Sequence, residues 1–434
     1  MDLALNNALI LENRKVVERS IGISGGKISK ISRHHIRAAK EIDCFGKLVL
    51  PGLIDVHVHF REPGMTWKED WGSGSRAAIA GGITTVFDMP NTKPQTTTFR
   101  ALKQKIKLAK KKSYCNFGIH FGATGGNVGE IRKAKGIGSV KIYFGSSTGN
   151  MLLNDEKKLL EILKIAKKRN FVVCVHAEDD AIISENEGKL AEANAAMHDL
   201  IRNAKAEASA VKKLLKLQEK AKCRMHFCHL SSRHGLSLIA KAKKKNKKIT
   251  AEVAPHHLFL TNKDVGRLGN FGKVNPSIKG GGDRKALWSG IFNGAIEVIA
   301  TDHAPHTIAE KRRPYKDAPS GIPGLETMLP LLIDAMHSGK ISVNEIQALC
   351  CENPAKIFGL NGKGKVKTGY DADLVVVDPM AERKVENKKL FTKCGWSPWN
   401  RKRLKGTVEK TILAGKLVFD NGKIIGKASG TGVY

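Results

Sequence analysis

The sequence lacks several features that would point to other classes of protein. Aromatic residues make up only 6% of its 434 residues and do not interleave with its lysine clusters, so the stacking platforms of proteins that bind single-stranded nucleic acid are missing. No stretch has the roughly 18 apolar, uncharged residues that a membrane span requires. The N-terminus has no basic segment followed by an apolar block, so it does not resemble a signal peptide. These absences predict a cytoplasmic protein that does not cross a membrane.

The sequence also lacks paired cysteines of the CxxC type. Its eight cysteines are scattered, and several lie within apolar strand-like runs such as FVVCVHAE. A scattered pattern of this kind favours small buried thiols in a reducing compartment over a metal cluster or a disulfide framework.

Acidic residues are scarce relative to basic ones, which gives the chain a formal net charge of +33. The lysines cluster in KQKIKLAKKK (103–112), KKLLKLQEKAK (212–222) and KAKKKNKK (241–248). Because each cluster lies between strand-like runs, we interpret them as solvated helix faces and helix ends. The charge favours anionic substrates and permits nonspecific adhesion to nucleic acid, but it predicts no specific nucleic-acid partner.

What the sequence does contain is a regular alternation of short apolar runs with amphipathic stretches such as 155–169, 206–222 and 283–293. This pattern is typical of βα units around a parallel sheet. The eight apolar runs span residues 52–60, 83–91, 116–124, 139–145, 171–178, 224–231, 249–257 and 295–306. Eight such units predict an α/β fold built on a (β/α)8, TIM-like barrel. A doubly wound open sheet is the alternative, but no GxGxxG follows the first run, and polar residues end many runs.

The two ends of the chain have a different pattern, with strand-like runs separated by Gly-Lys and Asn-Gly turns. We therefore predict that residues 1–49 and 363–434 pair into one small composite β-sandwich. The catalytic barrel, residues 50–362, is then inserted between them.

The first barrel strand contains two histidines in the stretch LPGLIDVHVHFREPG, residues 50–64. Residues i and i+2 of a strand share a face, so His57 and His59 project together at the end of the barrel where such enzymes carry their chemistry. An HxH pair alone is weak evidence. Strands five, six and eight, however, end in His176, His229 and Asp302, which predicts a divalent metal site with one ion or two.

Lys141 lies in the apolar strand SVKIYF, where an unpaired ammonium is costly to bury. One interpretation pairs it with an acidic neighbour. The other is a desolvated amine that reacts with CO₂, giving a carbamate that could bridge two metal ions.

Together these residues resemble the dihydroorotases, a family of the amidohydrolase superfamily that also includes hydantoinases and allantoinases. The resemblance covers essentially the whole chain. It depends on the motifs DVHVHFREPG, MPNT, VKIYFGSS, VHAE, CHLSS, EVAPHHL, TDHAPH and GIPGLETMLP, which occur in family order.

The resemblance implies zinc-dependent, reversible cyclisation of N-carbamoyl-L-aspartate to L-dihydroorotate in pyrimidine (UMP) biosynthesis. It implies two Zn²⁺ ions per chain, bridged by carbamylated Lys141, with Asp302 carrying the proton. The metal ligands implied are His57, His59, Lys141, His176, His229 and Asp302. The implied contacts to the substrate carboxylate are Arg61, Asn91 and His306, and the ring amide has Asn275 as a candidate, where some relatives carry arginine.

Three alternatives stay open at this point. The first is another cyclic amidohydrolase, either an allantoinase or a hydantoinase (dihydropyrimidinase), although Arg61 suits a substrate with a carboxylate. The second is a catalytically inactive, dihydroorotase-like subunit that scaffolds aspartate transcarbamoylase. The third is a basic nucleic-acid-binding protein. For the enzyme, a homodimer and an association with aspartate transcarbamoylase are both compatible with the resemblance.

The stretch FGSSTGN (144–150) follows the fourth strand and is rich in glycine and serine. Small polar residues offer hydrogen bonds with little packing, so we expect a lid that closes over the substrate. A passive loop is the alternative interpretation.

Overall fold

The chain forms two β-sheets, one from segments near both ends of the sequence and one from its middle. The computed structural model describes residues 1–146, 151–190 and 192–434. The lid prediction falls largely on residues 147–150, which lie outside the described residues. No helix in the described parts of the chain is both long enough and apolar enough to span a bilayer.

The N-terminal part of the first sheet consists of two tight hairpins and two short strands. Asn13 and Arg14 form the first two-residue turn and Gly25 and Gly26 the second, all four with positive φ, as hairpin turns matching the strand twist require. The strands are β1 (Leu3–Glu12), β2 (Lys15–Ser24), β3 (Lys27–Ser32), β4 (Lys40–Asp43) and β5 (Leu48–Pro51).

The middle of the chain forms eight strands that pair in parallel from first to last. They are β6 (Leu53–Val58), β7 (Ile83–Asp88), β8 (Asn116–Gly122), β9 (Ser139–Tyr143), β10 (Val172–His176), β11 (Arg224–Phe227), β12 (Ile249–Val253) and β13 (Val298–Ile299). A parallel bridge between Val58 and His303 brings the segment after β13 back to β6. The barrel is therefore closed between its first and last strands, and each strand lies within its predicted run.

The helices lie between and after these strands. They are α1 (Trp71–Ala80), α2 (Phe99–Lys112), α3 (Val128–Lys133), α4 (Glu156–Arg169), α5 (Asp180–Lys189), α6 (His198–Ile201), α7 (Ala204–Ala221), α8 (Arg233–Lys245), α9 (Pro255–Phe259), α10 (Asn262–Leu268), α11 (Gly281–Phe292), α12 (Ile308–Lys311), α13 (Met328–His337), α14 (Val343–Gln347) and α15 (Asn353–Phe358). A π-helical turn, Ala348–Glu352, leads into α15.

Local sequence explains where the long barrel helices begin and which face they bury. Thr98, Asp155, Asn203 and Ser232 precede α2, α4, α7 and α8, and each side chain accepts a hydrogen bond from a backbone N–H of the first turn, as N-caps do. On α4 the residues at three- and four-residue spacing, such as Leu159 and Leu163, are fully buried. This apolar stripe packs the helix onto the barrel.

The C-terminal segment completes the first sheet with β14 (Leu374–Lys384), β15 (Arg403–Leu413), β16 (Lys416–Asp420) and β17 (Lys423–Ile424). The strand order is β17-β16-β15-β14-β5-β1-β2-β3, and β4 pairs with β1. Strand β5 lies between β14 and β1, so segments from both ends of the chain share one sheet. The predicted barrel with a small composite β domain is confirmed, while the domain boundaries at 49/50 and 362/363 stay predictions.

Candidate functional site

A polar pocket lies at the carboxyl ends of the barrel strands, where barrel enzymes carry their chemistry. Most of the residues that line it either end a barrel strand or directly follow one. They are His57, His59, Arg61, Asn91, Tyr143, His176, His229, Asn275, Asp302, Ala304, Ser320 and Gly321. All predicted site residues except Lys141 and His306 are in this set. Lys141 is buried in β9, and His306 lies behind Arg61.

His57, near the end of β6, has one ring nitrogen turned inward and one turned toward the pocket. Its Nδ1 lies 2.5 Å from Glu252 Oε1, and its Nε2 lies 3.3 Å from Asp302 Oδ1. Glu252 also accepts from His226 Nε2 at 2.9 Å and from the backbone N–H of His229 at 3.2 Å. A carboxylate on Nδ1 fixes the ring so that Nε2 faces the site.

Glu252 is a residue that the sequence pattern does not single out. Burial would raise the pKa of this carboxyl, but His57 and His226 beside it hold the pKa well below its ordinary value. The carboxylate form therefore persists in the interior and can accept hydrogen bonds from both rings. A glutamate in the strand-like run ITAEV offers no signal of this role, because the role depends on neighbours from β6 and β11.

His59 is held from the opposite side of the site. Its Nδ1 lies 2.7 Å from Asn91 Oδ1 and its Nε2 3.1 Å from Asp302 Oδ1. Burial lowers the pKa of His59 to about 3, so the ring is neutral at physiological pH. Neutral imidazole is the form that binds metal.

His176 and His229, from the ends of β10 and β11, face each other across 3.1 Å between Nδ1 and Nε2. His176 Nε2 lies 3.0 Å from Glu178 Oε2, and Glu178 pairs with Arg202. Burial lowers the pKa of both histidines. Two neutral ring nitrogens therefore point at the same small volume.

These donors have the chemistry and the spacing of a metal site. Ligand atoms of His57, His229 and Asp302 all lie within 4.8 Å of one another. The distances from Asp302 Oδ1 to the Nε2 atoms of His57 and His59 are 3.3 and 3.1 Å. Neighbouring ligands around a tetrahedral zinc with bonds of about 2.0–2.1 Å are roughly 3.4 Å apart, so the residues fit a divalent ion with little adjustment.

Lys141 is completely buried in β9, directly behind the histidines. Its Nζ lies 3.0 Å from Cys228 Sγ and 5.1 Å from the centre of the Tyr143 ring. Among the described residues no carboxylate lies within ion-pair distance of it, although the Glu252 carboxylate is close enough to act on its charge. Burial would lower the pKa of Lys141, but the neighbouring Cys228, Tyr143 and Glu252 hold it above its ordinary value. Burial by itself favours the free amine, which is the form that reacts with CO₂.

Three of the site residues have positive φ values although none is glycine: Arg61 at 61°, His229 at 32° and Asp302 at 47°. Each directly follows, or lies close behind, the end of a barrel strand. Such conformations cost on the order of 1–3 kcal/mol each and persist where the surrounding structure imposes them. Here they turn the three side chains toward one pocket.

Arg61 lies beside the candidate metal ligands and is 2% exposed. Its Nε donates to the carbonyl of Pro305 at 3.2 Å, and its guanidinium lies 3.1 Å from His306 Nε2. Lys68 donates to His306 Nδ1 at 3.0 Å, so a second cation adjoins the first. No carboxylate in the described parts of the chain pairs with Arg61, which leaves a buried guanidinium suited to an anionic ligand.

Asn275 lines the other side of the pocket, and its Oδ1 accepts from His198 Nε2 at 3.0 Å. His198 is itself held by the Tyr315 hydroxyl at 2.6 Å. Two other histidines of the sequence motifs have structural contacts. His303 Nδ1 accepts the backbone N–H of Gly324, and His257 Nε2 lies 3.1 Å from the Pro276 carbonyl oxygen.

Comparison with known proteins agrees with this geometry. The Amidohydrolase family matches residues 48–418. The dihydroorotase of Methanosarcina acetivorans is 42% identical over 412 residues, covering 92% of this chain and 88% of that protein. The dihydroorotase of Pyrococcus horikoshii is 39% identical over 421 residues, covering 97% of this chain and 93% of that protein.

Among solved structures, the L-hydantoinase (dihydropyrimidinase) from Arthrobacter aurescens is similar, with a TM-score of 0.95 and 29% identity. The similarity covers 99% of both chains. The sequence and structure comparisons agree on the family, and the Methanosarcina and Pyrococcus relatives share a single name. The chain is therefore a member of the amidohydrolase family and a relative of its dihydroorotases.

Proposed function

We propose that this protein is a dihydroorotase that interconverts N-carbamoyl-L-aspartate and L-dihydroorotate in pyrimidine biosynthesis. In the cyclising direction the terminal ureido nitrogen attacks the side-chain carboxyl carbon, a C–N bond forms, and water leaves. The observation that carries the proposal is Arg61, a buried guanidinium beside the candidate metal site and without a carboxylate partner among the described residues. Both substrate and product keep a free α-carboxylate that such a group binds in a bidentate way.

We assign the carboxylate contacts to Arg61, Asn91 and His306, and a contact to the ring amide to Asn275. His306 is fully buried between Arg61 and Lys68. Burial lowers its pKa well below the ordinary value, and the two cations lower it further. The ring is therefore neutral, and the positive charge of this side of the pocket comes from Arg61, because Lys68 is paired with Glu310 at 2.8 Å.

The proton is carried by Asp302. Burial would raise the pKa of this carboxyl, but His57 and His59 hold it well below its ordinary value, so the group is ionised at physiological pH. In cyclisation it takes the proton from the attacking ureido nitrogen, and in ring opening it returns that proton to the departing ring nitrogen.

The residues that would hold metal are His57, His59, Lys141, His176, His229 and Asp302, and we propose two Zn²⁺ ions with carbamylated Lys141 between them. Bound zinc acts as a Lewis acid on a carbonyl oxygen and acidifies water. The histidines supply no charge, so two dications require an anion between them, which is the reason for assigning the carbamate to Lys141.

A hydantoinase is the second candidate, because the Arthrobacter aurescens L-hydantoinase shares the fold over its whole length. Hydantoin and dihydrouracil carry no carboxylate that Arg61 could bind, which favours the dihydroorotase.

The eight cysteines are all free and buried, which supports our assignment of the protein to the cytoplasm. The homodimer and the transcarbamoylase association stay predictions.

One experiment tests the proposal against the alternatives. The purified protein is incubated separately with L-dihydroorotate, hydantoin, dihydrouracil and allantoin, ring opening is measured for each, and bound zinc is determined. We expect the highest kcat/KM for L-dihydroorotate. A preference for hydantoin or dihydrouracil would support the hydantoinase instead, and a zinc-free protein without activity would support the scaffold subunit.

A further inference from the structure

A buried ion pair lies directly beneath the two segments that carry Arg61 and Asn91. Asp88 ends β7 and Lys105 lies in the middle of α2, and both side chains are completely buried. Lys105 Nζ is 2.5 Å from Asp88 Oδ2. Removing two charges from water carries a large desolvation cost that their mutual attraction must offset, so burying this pair is energetically less favourable than packing a helix with apolar side chains.

The rest of the barrel shows that a helix can be attached without such a pair. On α4 the side chains buried against the barrel are all apolar: Leu159, Ile162, Leu163 and Ala166. On α2 the corresponding set is Ala101, Leu102, Lys105 and Ala109. The lysine therefore takes a position that α4 fills with hydrocarbon.

The contacts of the pair reach the backbone on both sides of the pocket rim. Asp88 Oδ1 accepts the backbone N–H of Phe60 at 2.6 Å, and Phe60 immediately precedes Arg61. Lys105 Nζ donates to the carbonyl of Met89 at 2.6 Å, two residues before Asn91. One ion pair thus fixes the backbone of both segments from which the two polar side chains project.

We propose that Asp88 and Lys105 are positioning residues that hold Arg61 and Asn91 at the spacing the substrate carboxylate requires. The proposal deepens the assignment of dihydroorotase activity and rests on it. Arg61 already has an unfavourable positive φ, so its direction depends on the backbone of Phe60 being held. Without the pair, the two segments can move apart while the barrel stays folded.

The test uses Lys105→Met, which keeps the length and the apolar stem of the side chain and removes the ammonium. Lys107→Met is the matched control, because Lys107 lies about half a turn away on the same helix and is exposed. Removing one partner leaves a buried unpaired charge and is strongly destabilising, so the double variant Asp88→Asn/Lys105→Met is measured beside it. The readouts are KM and kcat for L-dihydroorotate, bound zinc, and the thermal midpoint.

We expect both Lys105 variants to raise KM at least tenfold, with kcat within threefold of the unmutated protein and zinc content retained. The pair holds the backbone of Phe60 and Met89. Of the candidate metal ligands, His59 is held from one of these segments by Asn91, whereas His57 and His176 are held from outside them by Glu252 and Glu178, so we expect most of the metal site to persist. This difference is the reason for expecting KM to change without kcat. The double variant should keep the raised KM, because the Met89 carbonyl still lacks its donor, while regaining part of the thermal midpoint.

A double variant with a normal KM and a lowered thermal midpoint would overturn the proposal and leave the pair a purely structural role. A parallel rise of KM in Lys107→Met would overturn it as well, since the effect would then belong to the charge of the helix. If the unmutated protein binds zinc but does not turn over L-dihydroorotate, the assigned activity itself is wrong, and the positioning proposal fails with it.

Discussion

Charged side chains have different surroundings at the two ends of the barrel. At the carboxyl ends of the strands the charged groups are buried and held by specific partners, as Glu252 is between His57 and His226. At the opposite end, basic residues fill the last turns of α2, α4 and α8, and Lys168 and Lys244 are exposed there. Cations at helix C-termini are favoured by the helix dipole and by solvent. Charged side chains at the carboxyl ends of the strands therefore depend on specific partners, whereas the exposed lysines at the opposite end do not.

The largest effect is expected at Lys141, a lysine buried at the end of the barrel that carries the candidate site. It tests whether buried charged groups at this end differ in function from the exposed lysines at the other end. We expect Lys141→Ala to lose metal and nearly all activity, because two dications roughly 3.5–4 Å apart repel without an anion between them. Added acetate or propionate should restore part of both. Lys141→Arg should fail, since a guanidinium stays protonated and cannot take up CO₂.

The measurements are elemental analysis of bound metal and turnover of L-dihydroorotate. Lys168→Ala, at the exposed end of α4, is the control and should match the unmutated protein in both. If Lys141→Ala kept its full metal content and turnover, the bridge would be wrong, and Lys141 would be a structural lysine beside a single metal ion.

The second expected effect concerns the anion contact. Arg61→Ala should keep its metal while kcat/KM for L-dihydroorotate falls roughly 10- to 150-fold, which corresponds to the loss of a charge-assisted hydrogen bond of about 1.5–3 kcal/mol. KM should rise, since the lost contact binds the carboxylate. Steady-state kinetics and a metal determination on the same sample check this, and an unchanged KM would favour the hydantoinase.

A third and smaller effect is expected at Glu252, which contacts the candidate metal ligand His57 without lying on the pocket surface. Replacing it with glutamine removes the charge that holds His57 Nδ1, and such changes typically cost about 10- to 100-fold in metal affinity. Competition with a chelator measures the affinity. Glu219→Gln, on the exposed face of α7, should leave it unchanged, and equal affinities in the two variants would contradict a positioning role for Glu252.

The smallest effect is expected at the opposite end of the barrel. Lys220→Ala and Lys244→Ala should leave kcat/KM within about twofold of the unmutated protein, because exposed charges are screened over a Debye length of about 8–10 Å. Each should lower the free energy of unfolding by less than about 1 kcal/mol through the helix dipole. A marked loss of kcat/KM at low salt would instead mean that this end helps to attract the anionic substrate.

The architecture is predictable from the sequence because the alternation of apolar runs with amphipathic stretches is strongly periodic over the whole barrel. His57 and His59 are identifiable for a similar reason, since an HxH pair at a strand end has a definite geometry. The hydrogen-bond partners of these two histidines cannot be identified in the same way. Glu252 on β12 contacts His226 on β11 because the two strands lie side by side. Which strands are neighbours is a property of the fold, and the local sequence does not show it.

Lys105 illustrates the limit most clearly. It lies in the cluster KQKIKLAKKK with Lys103 and Lys107, and the sequence pattern favours a solvated face for that cluster. The interpretation is wrong at this position, because Lys105 is completely buried while the other two are exposed. The helical period places Lys105 with Leu102 and Ala109 on the buried stripe, but only the presence of Asp88 beneath it makes a charge tolerable there.

The strand β5 has a consequence for the order in which the molecule folds. It lies between β1 and β14, and its Pro51 pairs with Leu374 across the whole length of the barrel sequence. Contacts between residues so distant along the chain form slowly, because the loop between them must first be closed at an entropic cost. Until β14 arrives, β5 presents an unpaired edge that can recruit a strand from another molecule. The composite sheet is therefore the part of this protein most exposed to misassembly during folding.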